Sequence, residues 1–194
     1  MISAPMTRTA GVRGRWLQVR LNDSVPPYLR ALLGQVEPFP AAIRDGRWQI
    51  LACNRSYEAL FGLGPVPPPQ RNELLLYFTD PRTRQLLPEW ELDAPRLVSQ
   101  FRAACARHPD DPAWIRLLER LRHGSPEFEQ LWRDGGWFHP WMAPRHFRHP
   151  VVGGLSLTPY HLWSAPQADG VVATGFTPAD AASAAKLRRL GEQG

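Results

Sequence analysis

The chain has 194 residues, 43% hydrophobic and 21% charged, with a formal net charge of +5. This is the make-up of one soluble domain able to bury a real core, and no run approaches the ~18 apolar residues of a membrane helix. The positive surplus is arginine, with Lys186 the one lysine, spread along the chain and offset by 18 acids, so charge singles out no nucleic-acid surface. Residues 1–20 lack a secretory apolar stretch, and a cytoplasmic location is expected. Cys53 and Cys105 lie in apolar periodic segments and read as small buried hydrophobes rather than a disulfide or a reactive thiol.

Residues 1–24 read as a flexible tail. Tyr28, Leu29, Leu32, Leu33 and Val36 then fall at helical spacing, and Pro38-Phe39-Pro40 ends that helix. A hairpin is predicted over 41–53, turning at Asp45-Gly46 as a two-residue type I′ turn. Trp48, Ile50 and Ala52 alternate with Gln49, Leu51 and Cys53, giving one apolar face. Asn54 stands as the cap of a helix over 55–62. The proline-rich Gly64–Pro69 is a stiff connector, followed by a short helix over 71–79. Leu86, Trp90, Ala94, Leu97, Phe101 and Ala104 mark a helical stretch over 82–107. Pro88 and Pro95 interrupt it, with a break or kink expected at Asp93-Ala94-Pro95. Asp111-Pro112 and Ser125-Pro126-Glu127 open two further helices, closed at Gly124 and Gly135-Gly136. The period then changes. Short β-rich runs occupy 147–152, 155–162 and 171–176, with a further strand conceivable at 137–142. Residues 178–194 read as a tail or weak helix.

Strand–strand, a helical block, then about three strands describes an α/β (α+β) fold with a PAS-like antiparallel sheet. Helices inserted over one sheet face leave a hollow suited to an apolar ligand. Three pairs of readings stand side by side. Arg71 can fork onto a ligand carboxylate with Asn72 beside it, or Arg71 can tie down the connector while Asn72 caps the next helix. Phe78, Trp90, Phe101, Phe128 and Trp132 can line a cavity or simply fill the core. His149, before Pro150, can reach the pocket or end a strand. His146 and His149 point to opposite faces of a strand. Metal-ligand spacing, nucleophile elbows and phosphate loops are missing from the sequence, so neither a metal, a cofactor nor catalysis is expected.

A series of motifs carries a family resemblance. It runs through Arg71-Asn72, Phe78-Thr79-Asp80-Pro81-Arg82-Thr83-Arg84, Pro88-Glu89-Trp90, Arg107-His108-Pro109-Asp110-Asp111-Pro112, Ser125-Pro126-Glu127-Phe128, Leu131-Trp132 and His149-Pro150-Val151-Val152-Gly153. In order and spacing, over about 25–177, it resembles the ligand-binding domain of MmyB-like transcription regulators. The resemblance implies a bacterial, mainly actinobacterial, sensor that binds a small fatty-acid-like effector and alters DNA binding. Family members usually carry an N-terminal helix-turn-helix, for which residues 1–24 leave no room, so DNA binding is not expected of this chain. The family usually has tryptophan where Cys53 stands. Gly135–Trp141 replaces a more polar stretch. The partner expected is a small apolar ligand, with a homodimer compatible and no membrane. The alternative is a ligand-free module that controls a DNA-binding partner.

Overall fold

A computed structural model describes residues 25–135, 143–163 and 170–192. Its sheet is antiparallel throughout, in the order β2-β1-β5-β4-β3. The strands are β1 (Ala41–Arg44), β2 (Ile50–Cys53), β3 (Arg145–His149), β4 (Gly153–Trp163) and β5 (Val172–Pro178). The helices are α1 (Pro27–Gln35), α2 (Arg55–Phe61), α3 (Glu73–Thr79), α4 (Pro81–Leu86), α5 (Trp90–Cys105), α6 (Pro112–Gly124), α7 (Pro126–Asp134) and α8 (Ala181–Glu192). Helices α2 to α7 therefore sit between the first hairpin and the last three strands, as the sequence predicts. The further strand considered at 137–142 lies outside the described residues.

The hairpin departs from the two-residue turn. Asp45 and Gln49 close it, with Asp45 N–H donating to the Gln49 carbonyl at 3.0 Å and Trp48 N–H to the Asp45 carbonyl at 3.1 Å. Trp48 takes the left-handed conformation at φ 62°. This is the three-residue loop that usually ends in glycine. The Asp45 carboxylate explains the choice, since it accepts from both Arg47 N–H and Gln49 N–H at 2.9 Å and fixes the longer loop.

Asn54 is the joint between hairpin and helix. Its carbonyl oxygen accepts from Tyr57 N–H, capping α2, and from Ala41 N–H. Its amide donates to the Leu33 and Phe39 carbonyls. One buried side chain thus ties α1, β1 and α2 together.

Of the two interruptions expected, the one at Pro88 is present, at Leu87-Pro88-Glu89, whereas helix α5 continues through Pro95. Pro95 stands near the start of α5, where only the Glu91 carbonyl loses a partner. Asp93 is not a cap there; it pairs with Arg96 and Arg145. Pro159 is accommodated within β4 because β3 pairs only as far as Leu157, which among the described residues leaves β4 an edge from there on.

The sheet has a core on each face. Ala42, Ile50, Leu155, Leu157 and Phe176 pack against the helical block. Ala41, Ile43 and Ala173 pack under Leu29 and Leu33 of α1. Gly175 is needed where this outer layer is closest, because a Cβ there would stand 2.6 Å from the Pro40 carbonyl. Helix α8 is no tail. Leu187 and Leu190 are buried in the main core, and the Ser183 hydroxyl accepts from Ser156 N–H at 2.9 Å.

Candidate functional site

Between the inner sheet face and the helices lies a cleft of about 780 Å³ counting its mouth, with about 90 Å³ open to the centres of water-sized molecules. Its apolar wall includes Trp48, Ile50, Leu63, Leu74, Leu97 and a ring cluster of Phe61, Phe147 and Phe176. Those rings meet at 6.1, 5.9 and 5.3 Å between centroids. Strand alternation puts them there: Phe147 and Phe176 share the inner face with Leu157 and Ala42.

The same alternation brings charge inward. Arg44 follows Ala42 on the inner face of β1, Arg145 shares a face of β3 with Phe147, and His161 follows Pro159 on β4; all three line the cleft with Arg96 and Gln100 of α5. The Arg44 guanidinium lies over Trp48, 4.9 Å from the ring centroid. Its Nε is 3.0 Å from Glu73 Oε2, and Glu73 Oε1 accepts the Tyr57 hydroxyl at 2.9 Å. Asp93 pairs with Arg96 Nε at 2.8 Å and with Arg145. Among the described residues three guanidinium groups thus meet two carboxylates, and a positive charge is left over.

The titration of the corner follows from burial and this field. Burial raises the Glu73 pKa, and Asp45 adds to it, while Arg44, the Tyr57 hydrogen bond and Arg145 oppose. Burial pushes the Tyr57 phenol well up, with Glu73 beside it. His161 stands at the rim, its pKa pushed down to about 4 by desolvation first and then by Arg44, Arg96 and Arg145. At neutral pH it is a neutral ring able to donate or accept.

The residues singled out from sequence lie around this cleft rather than on its wall. Arg71 donates to the Val66 and Leu63 carbonyls at 2.7 and 3.0 Å and to Glu58 at 2.9 Å, which fastens the proline-rich connector. Asn72 accepts from Leu74 and Leu75 N–H, both at 3.1 Å, and caps α3. Its amide donates to the Arg47 carbonyl at 2.8 Å. Phe78, Phe101, Phe128 and Trp132 form one aromatic cluster inside the helical block, with centroids 5.1 to 6.1 Å apart. Trp90 lies under Arg84 and borders a neighbouring hollow that shares Tyr77, Leu87 and Arg145 with the cleft. His149 is 3.2 Å from the Ala59 carbonyl through Nε2 and accepts from Val151 N–H through Nδ1, so it braces the turn after β3.

Sequence reasoning missed Arg44, Glu73, Arg145 and His161. The signal was present as period two. Arg44 shares a face with Ala42, and Arg145 with Phe147; a charge on an apolar strand face is costly to bury without purpose. Glu73 read only as an acid in a first helical turn.

A sheet roofed by helices around an apolar cleft with a cationic corner is the architecture of a ligand-binding domain of PAS-like fold. The family model of the MmyB-like transcription regulator ligand binding domain matches residues 25–190, and the chain belongs to this family. A search of curated proteins finds no match. Among the described residues no helix is long and apolar enough to cross a membrane, and no group of three or more His, Cys, Asp and Glu side chains could hold a metal ion.

Proposed function

We propose that this domain senses a fatty-acid-like molecule, its apolar body in the cleft against Phe61, Phe147 and Phe176 and its acid group at Arg44, Arg96 and Arg145. The observation that carries the reading is the pairing of one aromatic wall with one cationic corner across the same hollow. Burial of an acyl chain contributes about 0.8 kcal/mol per methylene, and an arginine fork adds direction and preference for an anion. The water-sized interior is narrower than a long acyl chain needs, so such a ligand binds best to a state with the helices drawn back from the sheet. A ligand that prefers one state shifts the population toward it, which is how binding here would reach a DNA-binding partner segment.

The test is native mass spectrometry of the purified chain, followed by thermal unfolding with dodecanoate and with 1-dodecanol. Co-purifying carboxylic acid and a rise in Tm larger for the acid than the alcohol are expected. At a free concentration of 100 times Kd the stabilisation is about 2.7 kcal/mol. No bound acid and no shift with either probe would overturn the reading.

A further inference from the structure

We propose that Glu73 is a built-in stand-in for the ligand's acid group: it occupies Arg44 in the empty domain and is displaced, taking up a proton from solvent, when a carboxylate-headed molecule arrives. The inference rests on the anionic-head reading above and gives that site its internal control.

Arg44 is the fixed partner. Its side chain is 9% exposed, it lies over Trp48, and it belongs to a strand paired on both sides. Yet its donors are poorly used. Nε stands 3.0 Å from Glu73 but makes no hydrogen bond among the described residues, and Nη1 reaches the Asp45 carbonyl only at 3.4 Å. A guanidinium offers five N–H donors. A buried one whose Nε faces a carboxylate without a hydrogen bond is under-satisfied in this state, and a carboxylate entering along the cleft can supply both charge and acceptor.

Glu73 is the partner able to leave. It is the first residue of the short α3, and its side chain is 20% exposed. Swinging off Arg44, it can keep the Tyr57 hydroxyl. The charged and titratable groups facing it are Arg44 on β1, Tyr57 on α2, Arg145 on β3 and Asp45 in the hairpin turn. His161 of β4 shares the field of the same arginines. Without Arg44 a buried carboxylate is costly, and burial already raises its pKa. One anion enters and one proton follows, so the charge of the corner is conserved. The movement also has an outlet: Asn72, next in line, bonds the hairpin turn at Arg47 and forms a bridge with Gln49.

The experiment is isothermal titration calorimetry of decanoate and 1-decanol at pH 7, in phosphate and in Tris, on the unaltered chain and on Glu73→Gln and Arg44→Met. Decanoate should bind with uptake of a substantial fraction of one proton in the unaltered chain. In E73Q the uptake should vanish and decanoate should bind about tenfold tighter (about 1.4 kcal/mol), with decanol unchanged. R44M should lose the preference for acid over alcohol. Glutamine keeps an acceptor for Tyr57, and the proton count on the unaltered chain does not depend on any variant folding. Equal decanoate affinity in the unaltered chain and E73Q, or uptake that persists in E73Q, overturns the stand-in role while leaving the binding reading intact. Failure of both probes to bind the unaltered chain overturns the binding reading, and this inference with it.

Discussion

Trp48 concentrates the local tensions of the molecule. A tryptophan in the left-handed region costs roughly 1–2 kcal/mol relative to a right-handed backbone, and the cost is met by burial against Phe101, whose ring lies edge-on at 5.7 Å. Trp48→Gly relieves the backbone but empties a buried aromatic site, a loss of about 3–5 kcal/mol for the side chain. The expected net destabilisation is about 1–4 kcal/mol in urea unfolding; a variant as stable as the parent would show that the ring contributes little. This residue also marks how far sequence reading reaches. Asp45-Gly46 correctly announced a hairpin. The loop length was set by two backbone hydrogen bonds to the Asp45 carboxylate, and a dipeptide rule carries no information about those. Likewise the Asn54 cap was legible from local spacing, whereas its bonds to Leu33, Phe39 and Ala41 depend on segments far along the chain. Arg71 and Asn72 had two readings because forked donors serve a ligand and a carbonyl-rich loop equally well; their observed partners are the connector and the helix start.

Among the elements, the order of helices and strands was readable because caps and prolines punctuate them. Asn72, Asp80, Asp111 and Ser125 all accept from the first turns of their helices. Pro95 misled because a proline inside a helix removes one backbone hydrogen bond without ending the helix here, whereas the interruption at Pro88 was legible in the sequence. The tie between α4 and α7 gives a pH-dependent test. Arg84 grips both Glu127 oxygens at 2.7 and 2.8 Å, and Ser125 donates to the same carboxylate. The Arg84 hydrogen bond is the main reason its pKa falls from 4.5 to about 2. Folding lowers this pKa, so the contribution is fully present above about pH 4.5 and is lost as pH falls through about 2. The pair is partly exposed, so Glu127→Gln should cost no more than about 1 kcal/mol at pH 7. Chemical denaturation at pH 7 and pH 2 checks it: the gap between parent and variant should close at the lower pH, and a gap that stays constant would assign the loss to packing.

On the scale of the whole molecule, α8 closes the fold. It packs on α2, β4 and β5, and Leu187 is wholly buried. Leu187→Ala should therefore cost about 2–5 kcal/mol, read as a lowered urea midpoint with an unchanged slope; a surface-like loss under about 0.5 kcal/mol would mean that the helix is merely laid on. Its role was illegible in sequence because an alanine-rich amphipathic end looks the same whether docked or frayed. The sheet's outer strand has a consequence of its own. Among the described residues strand β3 bonds to β4 on one side only, and its exposed positions are His146 and Arg148. A bare strand margin invites recruitment of further chains, and the fixed charge of Arg148 beside the polar His146 disfavours such growth. The fold thus carries its own guard against fibrous self-assembly, in the positions where an unprotected β-ribbon would otherwise propagate.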